Sequence, residues 1–245
     1  MENGVFIKYF NKIYKKSRND FYSELEKDLE NDVKKFIITA NPETIMRSEF
    51  EENKLKEAFL SEKSCVVADG IGVIKGAKIL NVDIPETILG VETAQKLFEM
   101  CDKYGKSLFL FGAKGEVLSK LVLKIKKDYP RVNIVGAVDG YVEDKESIFN
   151  EIVEKKPDVC LVALGIPMQE NLIFNNIDRF DKGIFVGVGG SFDVLSGSKK
   201  GAPEFFKKTN LEWLYRITTE PKRLKRFFKY NVRYLKLVKK EKRKI

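Results

Sequence analysis

Short apolar runs alternate with longer stretches of helical periodicity along most of the chain. The runs are rich in Val, Ile and Phe and apolar on both faces, which is typical of buried parallel strands. Six have the length of a strand: Phe36–Ala40, Cys65–Ala68, Ser107–Phe111, Asn133–Val138, Val159–Leu164 and Ile184–Val188. Between them, apolar spacings of three and four predict helices over Pro42–Leu60, Val91–Tyr104, Gly115–Tyr129, Lys145–Lys155 and Met168–Phe180. This alternation predicts an α/β fold with a doubly wound, mostly parallel, Rossmann-like sheet.

The alternation stops near Leu195. A stretch rich in Gly, Ser and Lys follows at 196–202, and short helical patterns broken by two prolines come next. A longer helical pattern begins at about Lys222. We therefore predict an α/β body over residues 1–195 and a helical appendage over residues 196–245.

The appendage carries the positive charge of the protein. Residues 211–245 contain 13 Lys and Arg against 3 Asp and Glu, whereas the remaining residues contain 32 and 33. Apolar residues recur at helical spacing along one side of the last pattern, which is typical of an interfacial amphipathic helix: Leu224, Phe227, Phe228, Leu235 and Val238. Because basic residues attract phosphates and anionic lipids, we predict that the appendage contacts an anionic membrane surface. A nucleic acid is the alternative partner.

Composition excludes several kinds of chemistry. The 245 residues include no histidine, which excludes Ser-His-Asp and Cys-His catalysis and every metal site that needs His. No Asp-x-Asp pair occurs either, so acid–base work falls to carboxylates, Lys, Tyr or Cys. The three cysteines are far apart, which favours reduced cysteines in an intracellular protein. The longest apolar stretch, 159–168, is far shorter than the ~20 residues that span a bilayer. We expect a cytoplasmic protein that meets a membrane only peripherally.

Polar residues and glycines follow four of the predicted strands, where ligands of open α/β sheets bind. The strand pattern puts Asp69 at an expected switch point of the sheet. There it is suited to act as a general base, or equally as the N-cap of the next helix. Asn41, close to Thr39, is suited to bind substrate or to cap the helix that Pro42 begins.

The other two strand ends leave similar alternatives. Gln169 and Glu170 stand at a helix start, where they can contact a ligand or support the first turn. The turn at 189–191 either presents backbone N–H groups to a phosphate or is only a tight connection between strand and helix.

The strand-end motifs and a motif of the appendage stand in a fixed order: T-A-N-P-E (39–43), A-D-G-I-G (68–72), A-L-G-I-P-M-Q-E (163–170), G-V-G-G-S-F-D (187–193) and L-E-W-L-Y-R-I-T-T-E-P-K-R-L-K-R (211–226). In this order they resemble the WecG/TagA/CpsF family of bacterial glycosyltransferases, over about residues 36–228. The resemblance implies an inverting enzyme that transfers N-acetylmannosamine from UDP-ManNAc. The acceptor would be undecaprenyl-diphosphate-GlcNAc, and the product the β-1,4-linked disaccharide lipid of the wall teichoic acid linkage unit. N-acetylmannosaminuronic acid and glucose are the alternative donor sugars.

The resemblance also implies roles for individual residues and partners. It implies no metal or other cofactor, peripheral attachment to the inner face of the cell membrane, and no nucleic acid partner. We further expect a homo-oligomer, a dimer or trimer, in solution. Asp69 matches the proposed catalytic base, with Thr39 and Asn41 beside it. The UDP-sugar is expected near Tyr141, at the uracil, and near Gln169, Gly189, Gly190, Ser191 and Asp193. The diphosphates are expected at Arg216, Arg223 and Arg226, on a tail that closes over the active site.

Overall fold

The computed structural model describes residues 4–203, 206, 215, 218 and 223–244. All strand pairs in its six-stranded sheet are parallel, and the strand order is β2-β1-β6-β5-β3-β4. The strands are β1 Lys34–Ala40, β2 Ser64–Ala68, β3 Ser107–Gly112, β4 Asn133–Val138, β5 Val159–Ala163 and β6 Gly183–Gly187. The predicted α/β fold is confirmed, and every predicted strand is present with its ends within two residues of the prediction.

Helices follow each of the strands. Those up to residue 195 are α1 Ile7–Lys12, α2 Arg18–Glu30, α3 Pro42–Phe50, α4 Leu55–Leu60, α5 Ile71–Ile79, α6 Gly90–Tyr104, α7 Gly115–Asp128, α8 Lys145–Lys155, α9 Met168–Asn176 and α10 Ser191–Leu195. The predicted helix over Pro42–Leu60 is wrong as one element, because the chain leaves the helix at Glu51 and starts again at Leu55. The side chain of Asn53 accepts a hydrogen bond from the Leu55 N–H and so supports the second start.

Both faces of the sheet are buried. Phe109 and Phe111 on β3 pack into one hydrophobic cluster, and Leu108 and Leu110 on the same strand pack into the other. Helices α3, α5 and α9 cover the first face, and α2, α6 and α7 cover the second. Burial on both faces explains why the strands read as continuous apolar runs instead of alternating with polar residues.

The strand order locates the point where successive connections change direction. From β3 the chain moves outward to β4, whereas from β5 it moves the opposite way to β6, so the switch point lies between β3 and β5. Asp69 follows β2, an edge strand. The expectation that Asp69 stands at the switch point is therefore wrong. A single crossover from β2 to β3 passes over three strands, and the sequence pattern does not reveal that jump.

The C-terminal part of the chain returns to the body. It contains α11 Arg223–Phe227, a π-helical turn Phe228–Val232 and α12 Arg233–Lys242. Tyr234 and Val238 are fully buried in the first cluster, whereas 43% of Leu224 and 58% of Phe228 are exposed. The predicted single apolar side is thus wrong, because the π-helical turn changes the helical phase between the two ends. None of the helices described here is long and apolar enough to cross a bilayer.

The last helix is also tied to the start of the chain. The carboxylate of Glu241 accepts hydrogen bonds from the backbone N–H groups of Phe6 and Ile7, at the beginning of α1. The ring of Tyr234 meets that of Phe6 edge-on, with 5.7 Å between the centroids. Residues 233–242 therefore share the core of the body, although the boundary at residue 196 itself stays a prediction.

Candidate functional site

The carboxyl ends of β1 and β6 are joined by a side chain that the sequence singled out. Thr39 is buried near the end of β1, and its Oγ1 donates a 2.9 Å hydrogen bond to the backbone oxygen of Gly187. Its methyl group lies against Gly90, the first residue of α6, where an added Cβ would come within 3.4 Å of it. The Thr39 hydroxyl therefore fixes the spacing of two strands beneath any ligand at this edge.

Asp69 lies half-buried beyond the end of β2. Its backbone N–H donates a 2.7 Å hydrogen bond to Ala40, which extends the pairing of β1 with β2. The N-cap of α5 is Gly70, which has φ 102°, so Asp69 precedes the cap position instead of filling it. The N-cap alternative for Asp69 is wrong, while its role as a base stays a prediction.

Tyr22 on α2 is a neighbour of Asp69 that the sequence analysis did not identify. Burial raises the pKa of the Tyr22 phenol to about 12, and the nearby carboxylates of Glu92 and Asp69 act in the same direction. The phenol is therefore protonated at neutral pH. Nothing in the sequence motifs points to it, because α2 precedes β1 and reaches this edge only through the packing of the helices.

Asn41 is a helix cap. Its side-chain oxygen accepts hydrogen bonds from the backbone N–H groups of Glu43 and Thr44, and the Thr44 hydroxyl accepts one from the Asn41 N–H. This reciprocal pair is a capping box. The capping alternative is confirmed, and substrate contact by Asn41 stays a prediction.

Gln169 joins two loops at the carboxyl edge. It is 2% exposed, and its Oε1 accepts hydrogen bonds from the backbone N–H of Gly165 at 3.1 Å and of Gly189 at 3.0 Å. Its Nε2 donates a 2.7 Å hydrogen bond to Glu170 Oε1. Gly187 makes room for this amide, since a Cβ there would come within 2.7 Å of Gln169 Nε2. The loops after β5 and β6 are thereby held together.

Glu170 is completely buried at the start of α9. Burial raises the pKa of its carboxyl to about 7, and the negative charge of Glu43 adds to the shift, while Gln169 and Arg47 oppose it. A carboxyl with this pKa holds its proton through much of the acidic range and approaches half-ionisation near neutral pH.

The glycine turn after β6 is largely bonded within the protein. The Gly189 N–H donates a hydrogen bond to Gln169 Oε1, and the Ser191 N–H and hydroxyl both donate to the backbone oxygen of Val188. Asp193 pairs with Lys199 at 3.5 Å. Gly190 is exposed at the tip. Substrate contact by this turn stays a prediction, and the internal bonds show that its shape is set before any ligand binds.

Tyr141 lies far from Asp69 along the sheet edge. It is 72% exposed and follows β4, while β2 forms the opposite edge of the sheet. Five strand spacings of ~4.8 Å separate those edges, which gives ~24 Å before twist is considered. A ligand that contacts both must therefore lie across most of the carboxyl edge, as an extended nucleotide with its acceptor would.

Of the three predicted tail arginines, the side chain of only one is described. Arg216 lies outside the described residues, and for Arg223, at the start of α11, only the backbone is described. The Arg226 guanidinium donates a hydrogen bond to Glu43 Oε2, and Arg47 donates one to the other oxygen of that carboxylate. The tail thus reaches the start of α3, next to Asn41.

The same face of α3 receives a second contact from the tail. Glu51 accepts hydrogen bonds from the Tyr230 hydroxyl at 2.9 Å and from Arg47 at 2.7 Å. The Arg47 guanidinium also lies 4.9 Å from the centre of the Tyr230 ring. Sequence motifs included Glu43 but assigned it no role. Arg47 and Glu51 went unnoticed because Tyr230, their partner in the tail, is about 180 residues away along the chain.

Two long helices begin at this edge without a side-chain cap: α6 at Gly90 and α7 at Gly115. Uncapped N-terminal N–H groups favour anions such as phosphates.

Within the described part of the chain, no three His, Cys, Asp or Glu side chains are grouped so as to hold a metal ion. A cavity of about 270 Å³ opens nearby between α6, α7 and the residues after α10, but it is lined by none of the predicted site residues.

Known proteins are similar to this chain over most of its length. The model of the family described as "Glycosyl transferase WecG/TagA/CpsF family" matches residues 9–245. The chain is 39% identical over 191 residues to an N-acetylglucosaminyldiphosphoundecaprenol N-acetyl-beta-D-mannosaminyltransferase from Bacillus spizizenii, covering 78% of this chain and 74% of the relative. It is 38% identical over 210 residues to a protein of the same name from Bacillus subtilis, covering 85% and 80% of the two chains. A relative from Staphylococcus aureus with that name is 33% identical over 211 residues, covering 86% and 82%.

Proposed function

The chain belongs to the WecG/TagA/CpsF family of glycosyl transferases, and we propose that it transfers N-acetylmannosamine from UDP-ManNAc to undecaprenyl-diphosphate-GlcNAc. The product would be the β-1,4-linked disaccharide lipid of the wall teichoic acid linkage unit. The observation that carries this proposal is the shared name of relatives that align over 78% and 85% of this chain. That name specifies both the sugar transferred and the lipid acceptor.

The chemistry requires a base at the acceptor hydroxyl. Inversion at the anomeric carbon proceeds by one in-line displacement, in which the acceptor 4-hydroxyl attacks and loses its proton. In this proposal the Asp69 carboxylate accepts that proton. Support comes from its half-buried position directly after β2, at the carboxyl edge of the sheet.

The departing UDP gains negative charge, which must be stabilised. In this proposal the uncapped starts of α6 and α7 and the tail arginines Arg216, Arg223 and Arg226 supply the positive potential. Support comes from the contact of Arg226 with Glu43, which holds one tail arginine at the carboxyl edge of the sheet. The loops held by Gln169 would flank the nucleotide, and Tyr141 would meet the uracil.

The lipid acceptor requires the enzyme to work at a membrane. We propose peripheral attachment to the inner face of the cell membrane through the tail. Leu224 and Phe228 are exposed on the tail beside exposed Lys225 and Lys229, a combination of apolar and basic groups that suits an anionic lipid surface. A dimer or trimer in solution and the absence of a nucleic acid partner remain predictions.

Release of UDP from a panel of UDP-sugars, with and without the lipid acceptor, tests the proposed function. We expect release from UDP-ManNAc only when undecaprenyl-diphosphate-GlcNAc is present, with formation of the disaccharide lipid. Preference for UDP-N-acetylmannosaminuronic acid or UDP-glucose would replace the donor in the proposal. No acceptor-dependent release from any donor would refute the proposed enzyme activity.

A further inference from the structure

The buried pair of Gln169 and Glu170 holds two active-site loops that come from different strands. One loop starts at Gly165 after β5, and the other includes Gly189 after β6. Both donate their backbone N–H groups to one oxygen atom, Gln169 Oε1, at 3.1 and 3.0 Å. The distance between the two loops therefore depends on the orientation of a single side-chain amide.

A glutamine amide has an accepting end and a donating end of nearly the same shape. If the Gln169 amide rotated by half a turn, its NH₂ group would face two N–H donors and both loop hydrogen bonds would be lost. The two N–H donors favour the observed orientation, and a hydrogen-bond acceptor at the other end of the amide strengthens that preference. Glu170 Oε1, at 2.7 Å from Gln169 Nε2, is that acceptor.

We propose that Glu170 is a positioning residue for the transfer reaction: its carboxyl oxygen fixes the Gln169 amide and thereby sets the separation of the two loops. This inference rests on the proposed function only in assigning those loops to the UDP-sugar. Glu170 is 0% exposed and its Oε1 accepts a hydrogen bond from Gln169 Nε2, so in this proposal it acts through Gln169 and does not touch the substrate.

The surroundings of Glu170 support a fixed orientation. Its pKa is raised to about 7, primarily by burial, so the carboxyl remains at least partly protonated at neutral pH, and its carbonyl oxygen accepts a hydrogen bond in either state. Gly187 leaves the space that the Gln169 amide occupies. A buried amide whose oxygen and nitrogen are both hydrogen-bonded has little freedom to reorient.

Four variants test this role: Glu170→Met, Glu170→Gln, Glu170→Asp and the control Asn176→Leu. Met keeps the approximate volume of Glu but removes the acceptor, and Gln keeps an acceptor oxygen. Asn176 is a buried polar residue on the same helix, with hydrogen bonds to Glu146 and Leu172. Its substitution therefore perturbs α9 to a similar degree at the end away from the loops.

Amide hydrogen exchange at Gly165 and Gly189 gives a direct readout that does not require activity. Loss of a hydrogen bond worth ~1.4 kcal/mol corresponds to about tenfold faster exchange. We expect that increase in Glu170→Met, a smaller one in Glu170→Asp, and rates near those of the wild type in Glu170→Gln and Asn176→Leu. Glu170→Asp removes only one methylene group, so it keeps the test decisive if Glu170→Met does not fold.

Kinetics provide the second readout. We expect Glu170→Met to raise the KM for UDP-ManNAc about tenfold while kcat changes less than about threefold, because the loops position the donor. Adding Gln169→Met to Glu170→Met should cause almost no further loss, since both residues act through one amide.

The exchange and kinetic results have separate consequences. If Glu170→Asp leaves the exchange of both glycines at the wild-type rate, or if Asn176→Leu accelerates it equally, the positioning role is overturned. If exchange changes as expected while the wild type transfers no sugar, the positioning of the loops stands and the proposed function fails.

Discussion

The two ends of the parallel sheet use their polar side chains in different ways. At the amino end, charged groups satisfy one another: Asp158 Oδ2 accepts hydrogen bonds from the Ser107 N–H at 2.8 Å and its hydroxyl at 2.6 Å, and Asp158 Oδ1 accepts one from Lys182 at 2.8 Å. Lys182 and Lys106 also pair with Asp32. At the carboxyl end, Thr39 and Gln169 hold backbone segments, and the carboxyl of Glu170 is buried with a raised pKa.

The difference separates the end of the sheet where charge pairs stabilise the fold from the end where we propose that the substrate binds. Paired charges at the amino end strengthen the attachment of three strands to each other. The carboxyl end has uncapped helix starts, a glycine turn and a half-buried Asp69, which leave positions for a ligand's phosphates and hydroxyl groups. Substitutions at the two ends should therefore separate stability from activity.

Asp69→Asn should have the largest effect. The substitution keeps the shape of the side chain and removes its ability to accept a proton, so we expect kcat to fall by about 10²- to 10⁴-fold. Thermal unfolding should change little, because Asn keeps the size of the side chain and leaves the backbone hydrogen bond from the residue 69 N–H to Ala40 in place. Steady-state kinetics measure kcat, and calorimetry on the same preparation measures thermal unfolding. Transfer at nearly the wild-type rate would mean that Asp69 is not the base.

Glu170→Gln should change how stability depends on pH. The carboxyl has a pKa of about 7 in the folded protein and an ordinary value of 4.5, so the unfolded chain loses this proton first. The wild type therefore loses stability as pH rises from about 4.5 to about 7, by up to ~3 kcal/mol. The Glu170→Gln variant has no carboxyl to titrate at this position and does not lose this stability. Its free energy of unfolding relative to the wild type should therefore rise between about pH 4.5 and about pH 7. A constant difference from pH 5 to pH 8, measured by urea unfolding, would contradict the raised pKa.

Asp158→Asn should give the opposite pH dependence at the other end of the sheet. Burial favours the neutral acid, but hydrogen bonds from Lys182 and Ser107 outweigh it and hold the pKa of Asp158 below its ordinary value. Its stabilisation is present above the unfolded pKa and is lost as pH falls through the folded pKa. We expect Asp158→Asn to cost ~2 kcal/mol at pH 7 and progressively less in acid, with unchanged kcat per folded molecule. Reduced kcat would show that the amino end also serves the reaction.

Arg226→Gln should have the smallest effect on stability. Its ion pair with Glu43 has an arginine side chain that is 54% exposed, and such pairs contribute about 1 kcal/mol or less. We expect a loss of that size at low salt that shrinks at 0.5 M salt, measured by urea unfolding at the two ionic strengths. A loss of several kcal/mol would mean that the contact of the tail with α3 is part of the core.

The fold was largely predictable because the strands are buried on both faces and read as clear apolar runs. Two N-terminal helices were missed. Helix α1 has only six residues, and the apolar positions of α2, Phe21, Leu25 and Leu29, are sparse among charged residues. The tail helix was predicted, but its π-helical turn was not, since no proline or glycine marks it in residues 228–232.

The site was predictable only in part, because motifs identify residues but not their partners. The sequence placed Thr39, Asp69 and Gln169 at strand ends, and the structure puts them at one edge of the sheet. It did not show that Gln169 would bond to two loops, or that Glu43 would bond to Arg226. Those contacts depend on the strand order and on the return of the chain's end, which local patterns do not contain.

Titration of the ¹⁵N-labelled protein with UDP tests most directly the claim that the carboxyl edge holds the donor. The account predicts shifts in the backbone amide signals of Gly165, Gly189, Gly190 and Ser191, with the signals of Ser107 and Asp158 at the amino end unchanged. Shifts confined to the amino end, or to surfaces remote from both loops, would contradict it.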